Sequence, residues 1–321
     1  MDIFIPTFVF ILKLFGLSIL GYLIFRNRFL KKYYQVLLFY TVDVSLPILI
    51  FHRMVFNLTP ELLRSLNYLM AISAGLVVLG IFIGKLILKF FPVAAGKENL
   101  FCAILAFGNV GYLPLPLMEA ILKGPDLVQA QIYIFFFIIP FNLLIWSIGV
   151  PLSLNENISL KKFKFTLTMP FIFVVLSLAL SPFVVKQWIP AWLGNGMELV
   201  GSTVNPAIMV MLGGAFSNFD LSHIQLSRDV ILILLVKLVL FPLLAFPLVL
   251  FSSFPFILKL VLIIEAAVPP AVNLVIINKR YGNQKSGDNL TYILSSLVYT
   301  YLFSIFSLPL VISLFRVFHQ K

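Results

Sequence analysis

A chain of 321 residues that is 61% hydrophobic and only 11% charged, with a mean hydropathy of +1.08, cannot be a water-soluble globule. Soluble domains are about half apolar and about a quarter charged. A net charge of +11 would suggest nucleic acid in a soluble protein, but here Lys and Arg gather in short runs between apolar stretches, the pattern of membrane topology, so the partner is a lipid bilayer and no nucleic acid is expected. The single Cys102 excludes a disulfide framework and a cysteine metal cluster, and His52, His223 and His319 form no ligand set.

A crossing helix takes about 20 residues. Apolar runs broken by charge, Gly/Pro or polar clusters predict ten spans, at 4–25, 35–55, 67–91, 99–122, 129–151, 166–185, 195–217, 229–251, 257–279 and 290–315. Asp2 and no cation precede the first run, so a cleavable leader is not expected. The seventh span is rich in Gly, Ser and Asn, as a helix buried among helices tolerates. Loops after odd-numbered spans hold thirteen Lys and Arg, and the other side holds seven. Positive charge stays cytoplasmic, which predicts both termini on the non-cytoplasmic side of a plasma or inner membrane.

The polar stretch 152–165 divides a single transmembrane domain, 1–321, into two five-helix repeats, 1–151 and 166–321. Five is odd, so the second copy must cross in the opposite sense, the inverted-repeat plan of many secondary transporters. Pro47 and Pro206 lie 159 residues apart, and Pro114 and Pro269 lie 155 apart. These are matched marks in spans two and seven and in spans four and nine.

Span four, FCAILAFGNVGYLPLPLMEAIL, carries Gly108, Asn109, Gly111, Pro114 and Pro116 in mid-membrane; span nine, LKLVLIIEAAVPPAVNLVIINKR, carries Pro269, Pro270 and Asn273. Each proline removes a backbone hydrogen bond and clashes with the preceding turn, and glycine weakens a helix by entropy. One reading is a pair of kinked, packed helices. The other is two unwound segments near the midplane, tolerated only where protein or a water-filled cavity surrounds them. Broken helices point positive amino ends at the gap, which suits an anion, while freed carbonyls suit a cation.

GNVGYLPLPLMEAI resembles the G-N-x-G-[FY]-L-x-x-P-L signature of the auxin efflux carrier family, which includes bacterial malonate-type permeases. EAAVPPAVNLVIINKRYG resembles that family's A-x-P-x-A-V-x-x-x-x-x-A-x-x-Y-G segment. The resemblance extends to SLPILIF in span two and SLPL in span ten. It implies an all-α, ten-helix fold like that of sodium/bile-acid symporters and some sodium/proton antiporters, with crossing, broken helices 4 and 9. Spans 1, 2, 6 and 7 would then form a scaffold, often a homodimer interface, against which spans 3–5 and 8–10 move in an elevator. The crossover positions carried over are Gly108–Asn109 and Val272–Asn273. Many relatives have Gly at Pro114, and plant members have Pro at positions 108 and 274, so no auxin specificity follows.

Ionisable groups in hydrocarbon are expensive and default to function. Glu265, four residues before Pro269, is the first candidate for coupling to H+ or Na+; an ion pair with Lys237 is the alternative. Lys237 itself is either a substrate counter-charge or snorkels toward the cytoplasm. Asp43, four residues before Pro47, holds a coupling ion or makes a structural hydrogen bond. Asn205, beside Pro206, lines a cavity or packs a helix, and Glu119 with Lys123 reads as a surface pair. The expected substrate is a small organic anion such as a carboxylate, with a sodium-coupled symporter of the bile-acid type as the alternative. An integral-membrane enzyme is disfavoured, since neither a DDxxD clamp nor a Gly-rich phosphate loop is present; no cofactor or metal is expected.

Overall fold

The structure is a computed structural model that describes residues 4–156, 167–183, 185–217, 219, 222–282 and 286–319. The described residues form helices and no strand, one of the two ways in which a chain in hydrocarbon can satisfy its backbone groups internally. In chain order they are α1 Phe4–Arg26, α2 Tyr34–Asn57, α3 Pro60–Phe90, α4 Glu98–Ala106, α5 Pro114–Ile121, α6 Gly124–Ser153, α7 Met169–Leu180, α8 Ala191–Ser217, α9 Arg228–Leu250, α10 Phe256–Ala267, α11 Asn273–Tyr281 and α12 Ser286–His319. Seven of these, α1, α2, α3, α6, α8, α9 and α12, are long and apolar enough to cross a bilayer.

The remaining predicted spans differ from simple rods. The fourth is two helices, α4 and α5, and the ninth is α10 and α11. The sixth is regular only over the 12 residues of α7, followed by 3-10 turns; at 1.5 Å per residue this falls short of the hydrocarbon core. Most of the 152–165 stretch, with its lysines and the predicted start of the second half, lies outside the described residues.

Proline also explains three wide turns. Tyr40–Ser45, Ile145–Gly149 and Val236–Leu240 are π-helical, and each is followed by a proline near the start of the next α segment: Pro47, Pro151 and Pro242. A proline ring collides with the carbonyl four residues earlier. Those carbonyls belong to Asp43, Ser147 and Leu238, all inside the widened turns, so the chain relieves the clash by local expansion.

Two packing groups follow. The first is α1 against α8, with α2 against α7 and the first part of α8. Glycine sets the α1–α8 distance: a Cβ at Gly21 would overlap the Val210 carbonyl, and one at Gly213 would overlap the Ser18 carbonyl, so the two backbones touch, as small residues permit in membranes. In the second group α3 packs on α4 and α6, and α9 and α10 pack on each other and on α12. Gly80 performs the same service there, lying on the Ala106 backbone at the carboxyl end of α4.

This contact makes a stability prediction. Gly213→Leu should cost about 3 kcal/mol, the upper part of the overpacking range, and lower the thermal unfolding midpoint in detergent. Gly16→Leu, where no atom lies within 4 Å of the added carbon, should leave the midpoint nearly unchanged. Equal midpoints for the two variants would remove the proposed backbone contact.

Candidate functional site at the paired helix breaks

The two breaks lie against each other. Residues 107–113 and 268–272 leave the helical ladder, and Gly108 pairs with Pro270 in an antiparallel bridge. The Asn109 N–H donates to the Pro269 carbonyl and the Ala271 N–H to the Phe107 carbonyl, each at 2.8 Å. Each segment thus supplies one donor and one acceptor that its own helix cannot satisfy. Pro270 has no N–H to waste at the centre of the bridge.

Local sequence explains each edge. The last turn of α4 ends at Ala106, and Gly111 turns the chain with φ +97°, a left-handed conformation that costs a side-chain-bearing residue strain. Pro114 then opens α5 at its first position, where a missing N–H costs nothing. It therefore belongs to the second half-helix, α5, and not to α4. On the partner, Val268 to Val272 form the gap and Asn273 is the first residue of α11. The centre of the crossing is therefore Pro269–Ala271, slightly before the Val272–Asn273 expectation.

Side chains anchor the crossing to neighbouring helices. Asn109 is 2% exposed, and its amide donates to the Tyr301 hydroxyl of α12 at 2.5 Å; Tyr301 packs edge-on against Phe216 of α8. Asn278 of α11 donates to the Ser153 carbonyl at 3.1 Å. Phe107, Ala271 and Tyr301 were not legible as site residues, since two act through backbone atoms and the third lies in an apolar helix 192 residues from its partner.

The charged candidates separate into two places. Lys237, 2% exposed, and Glu265, 4% exposed, line one small cavity with Ser73, Gly108, Val110 and Phe241. Lys237 is buried and does not snorkel. Its ammonium donates to the Leu105 carbonyl at 3.3 Å and sits 4.9 Å from the Phe241 ring centroid. Lys237 and Glu265 do not approach within the 4.0 Å of an ion pair. Neither Glu265 carboxylate oxygen has a hydrogen-bond partner.

The second place is a cavity of about 340 Å³ between α2, α8 and α11. Val272, Val275 and Ile276 line it from the crossing outward, Tyr34, Gln35 and Leu38 face them from α2, and Lys279 and Arg280 stand at one end. Lys279 is held over the Phe219 ring at 4.0 Å. The Asn273 side chain is half-buried and is not part of this lining.

Two expectations change. Glu119 does not pair with Lys123 through charge: its carboxylate accepts from the Asn205 amide, while Lys123 donates to the Glu119 backbone carbonyl at 3.0 Å. Asn205 therefore joins α8 to α5, leaving its own buried carbonyl oxygen without a partner. Asp43 makes no hydrogen bond among the described residues; its side chain is exposed on a π-helical turn.

Tyr301→Phe tests the anchoring. Loss of one buried hydrogen bond costs about 1 kcal/mol net, and more where the orphaned amide stays buried. The unfolding midpoint should fall, and Asn109→Leu combined with Tyr301→Phe should recover part of the loss, since removing both partners spares the stranded group. A double variant no more stable than the sum of the singles would argue against the bond.

A family model described as "Membrane transport protein" matches the chain over residues 6–166 and again over residues 151–312, which together run almost end to end. No curated protein matches the chain.

Proposed function

The chain belongs to the membrane transport protein family, the auxin efflux carrier family, whose members are transporters and not enzymes; from that premise we propose that it carries a small organic anion, of carboxylate type, by alternating access. The observation that carries this reading is the backbone pairing of the two helix breaks at Gly108 and Pro270. Helices α5 and α11 begin just beyond the paired segments, at Pro114 and Asn273, and helix amino ends carry partial positive charge that favours anions. The adjoining cavity of about 340 Å³ is of the size that holds a small ligand and ends on two cations, Lys279 and Arg280. Gly108, Asn109, Pro114, Pro269, Pro270, Val272 and Asn273 then form the substrate-facing crossing, and Asn205 links it to the neighbouring group through Glu119.

The finer architecture in this proposal is ten spans in two inverted repeats, 1–151 and 166–321. Counting α4 with α5 and α10 with α11 as one crossing each, and α7 as a short one, adds three to the seven long helices. The packing groups support a scaffold of spans 1, 2, 6 and 7, with spans 3–5 and 8–10 moving against it as an elevator. A homodimer through the scaffold and non-cytoplasmic termini in a plasma or inner membrane complete the reading. Under that orientation Lys279 and Arg280 stand at the cytoplasmic mouth, and the cavity is an inward-open approach to the crossing.

Uptake of labelled mono- and dicarboxylates into proteoliposomes is the direct test. Asn109→Ala and Asn273→Ala should each reduce uptake, about tenfold for Asn109 if its loss leaves a buried tyrosine hydroxyl unpaired. Neutralising both cations, as Lys279→Gln with Arg280→Gln, should raise KM with little change in maximal rate. Undiminished transport in both asparagine variants would remove the proposed site.

A further inference from the structure

Between α1 and α2 the chain turns within residues 27–33, and the turn closes on itself. The Asn27 side chain accepts from the Phe29 N–H at 2.9 Å. The Asn27 carbonyl accepts from the Leu30 and Lys31 N–H groups, and the Leu30 carbonyl from that of Tyr33. With these backbone groups paired internally, the elbow can lie at a membrane boundary without unmet hydrogen bonds. Its depth follows from α1. The 23 residues of that helix, at 1.5 Å each, span about 35 Å, slightly more than the hydrocarbon core of about 30 Å, so the elbow begins at headgroup level.

The elbow's side chains are of two kinds. Arg26, Arg28, Lys31 and Lys32 crowd positive charge into one short stretch, and no acidic residue stands between Asp2 and Asp43. None of these cations comes within the 4.0 Å of an ion pair from a described carboxylate. Arg26 is engaged by the Phe219 carbonyl and the Tyr22 ring, and Lys32 lies over the Tyr33 ring, while Arg28 and Lys31 stand exposed. Interleaved with them are Phe29, Leu30 and Tyr33, exposed by 83%, 41% and 51%, an apolar surface that water disfavours.

A soluble polyanion would answer the cations and leave Phe29 and Leu30 in water. Cations alternating with exposed apolar side chains, at the end of a crossing helix, suit a surface that offers phosphates and hydrocarbon side by side. That surface is the headgroup layer of an anionic leaflet. Under the orientation proposed above, the elbow faces the cytoplasmic leaflet, where anionic lipid lies.

We propose that residues 26–33 are a lipid anchor. Arg28, Lys31 and Lys32 seat the elbow on anionic phospholipid headgroups while Phe29 and Leu30 enter the acyl boundary, which fixes the depth of the group formed by α1, α2 and α8. The anchor stands on the elbow alone and needs neither a substrate nor the carrier reading.

Thermal unfolding of the full chain in nanodiscs of phosphatidylcholine, with and without phosphatidylglycerol, gives the first test. The wild-type midpoint should rise with the anionic fraction, by about 5 °C, and the rise should shrink at high salt. Arg28→Gln combined with Lys31→Gln and Lys32→Gln should lose most of it, whereas Arg28→Lys with Lys31→Arg and Lys32→Arg should keep it. An equal rise in the neutralised variant and the wild type overturns the proposal. So does an equal rise when inorganic phosphate is added to phosphatidylcholine discs, which would assign the elbow to a free anion.

A probe gives the second test. Cys102 is buried and is the one native thiol, so Phe29→Cys can be labelled selectively with an environment-sensitive fluorophore. Its emission should shift to the blue when phosphatidylglycerol is present and be quenched by lipid spin-labelled near the headgroup. A probe quenched equally by aqueous iodide in both kinds of disc overturns the proposal. Where the neutralised variant fails to fold, the probe decides.

Discussion

Two backbone hydrogen bonds, Asn109 N–H to Pro269 and Ala271 N–H to Phe107, are the constraint from which the rest of the structure follows. An unpaired peptide group in hydrocarbon costs several kcal/mol, so neither segment could leave its helix at this depth alone. Each break satisfies the other, which obliges them to sit at one level and to stay together. Asn109 then ties the crossing to α12 through Tyr301, and Asn278 ties α11 to α6 through the Ser153 carbonyl. These bonds tie the paired breaks between α4, α5, α10 and α11 to α12 and α6.

The same breaks sort charge. Carboxyl ends of α4 and α10 face a small pocket that holds Lys237 and Glu265, whereas the amino end of α11 borders a larger cavity rimmed by Lys279 and Arg280. A membrane protein seldom buries a lysine at 2% exposure without compensating partners, and here the Leu105 carbonyl accepts from its ammonium while Glu265 shares the pocket. The crossing thus borders two different surroundings, a small pocket that holds Lys237 and Glu265 and a larger cavity that ends on Lys279 and Arg280.

Much of this was legible in the sequence because the breakers are local. Glycine and proline clusters in spans four and nine announce interruption wherever they occur in an apolar run, and the matched spacing of Pro114 and Pro269 announces a pair. The exact seam was harder to read: Pro269–Ala271 forms it through backbone atoms, which no side-chain motif advertises, and Asn273 turned out to start a helix. Glu119 misled for a related reason. Its i,i+4 spacing to Lys123 fits a surface pair, but tertiary packing turned the carboxylate to Asn205, a partner 86 residues away. The burial of Lys237 depended on the π-helical turn at Val236–Leu240, and 3.6-residue periodicity carries no sign of that.

Those wide turns have a consequence for how the helices present their faces. A π turn takes in one residue beyond an α turn, and one residue corresponds to about 100° of rotation. In α2, α6 and α9 the stretch after the proline is therefore phased differently from the stretch before it, so each helix shows one set of neighbours on one side of the bend and a rotated set on the other. Shortening any of these turns by a single residue would swing everything beyond it by more than a quarter of a circle, carrying Lys237 in α9 or Asp43 in α2 out of alignment with the residues that follow.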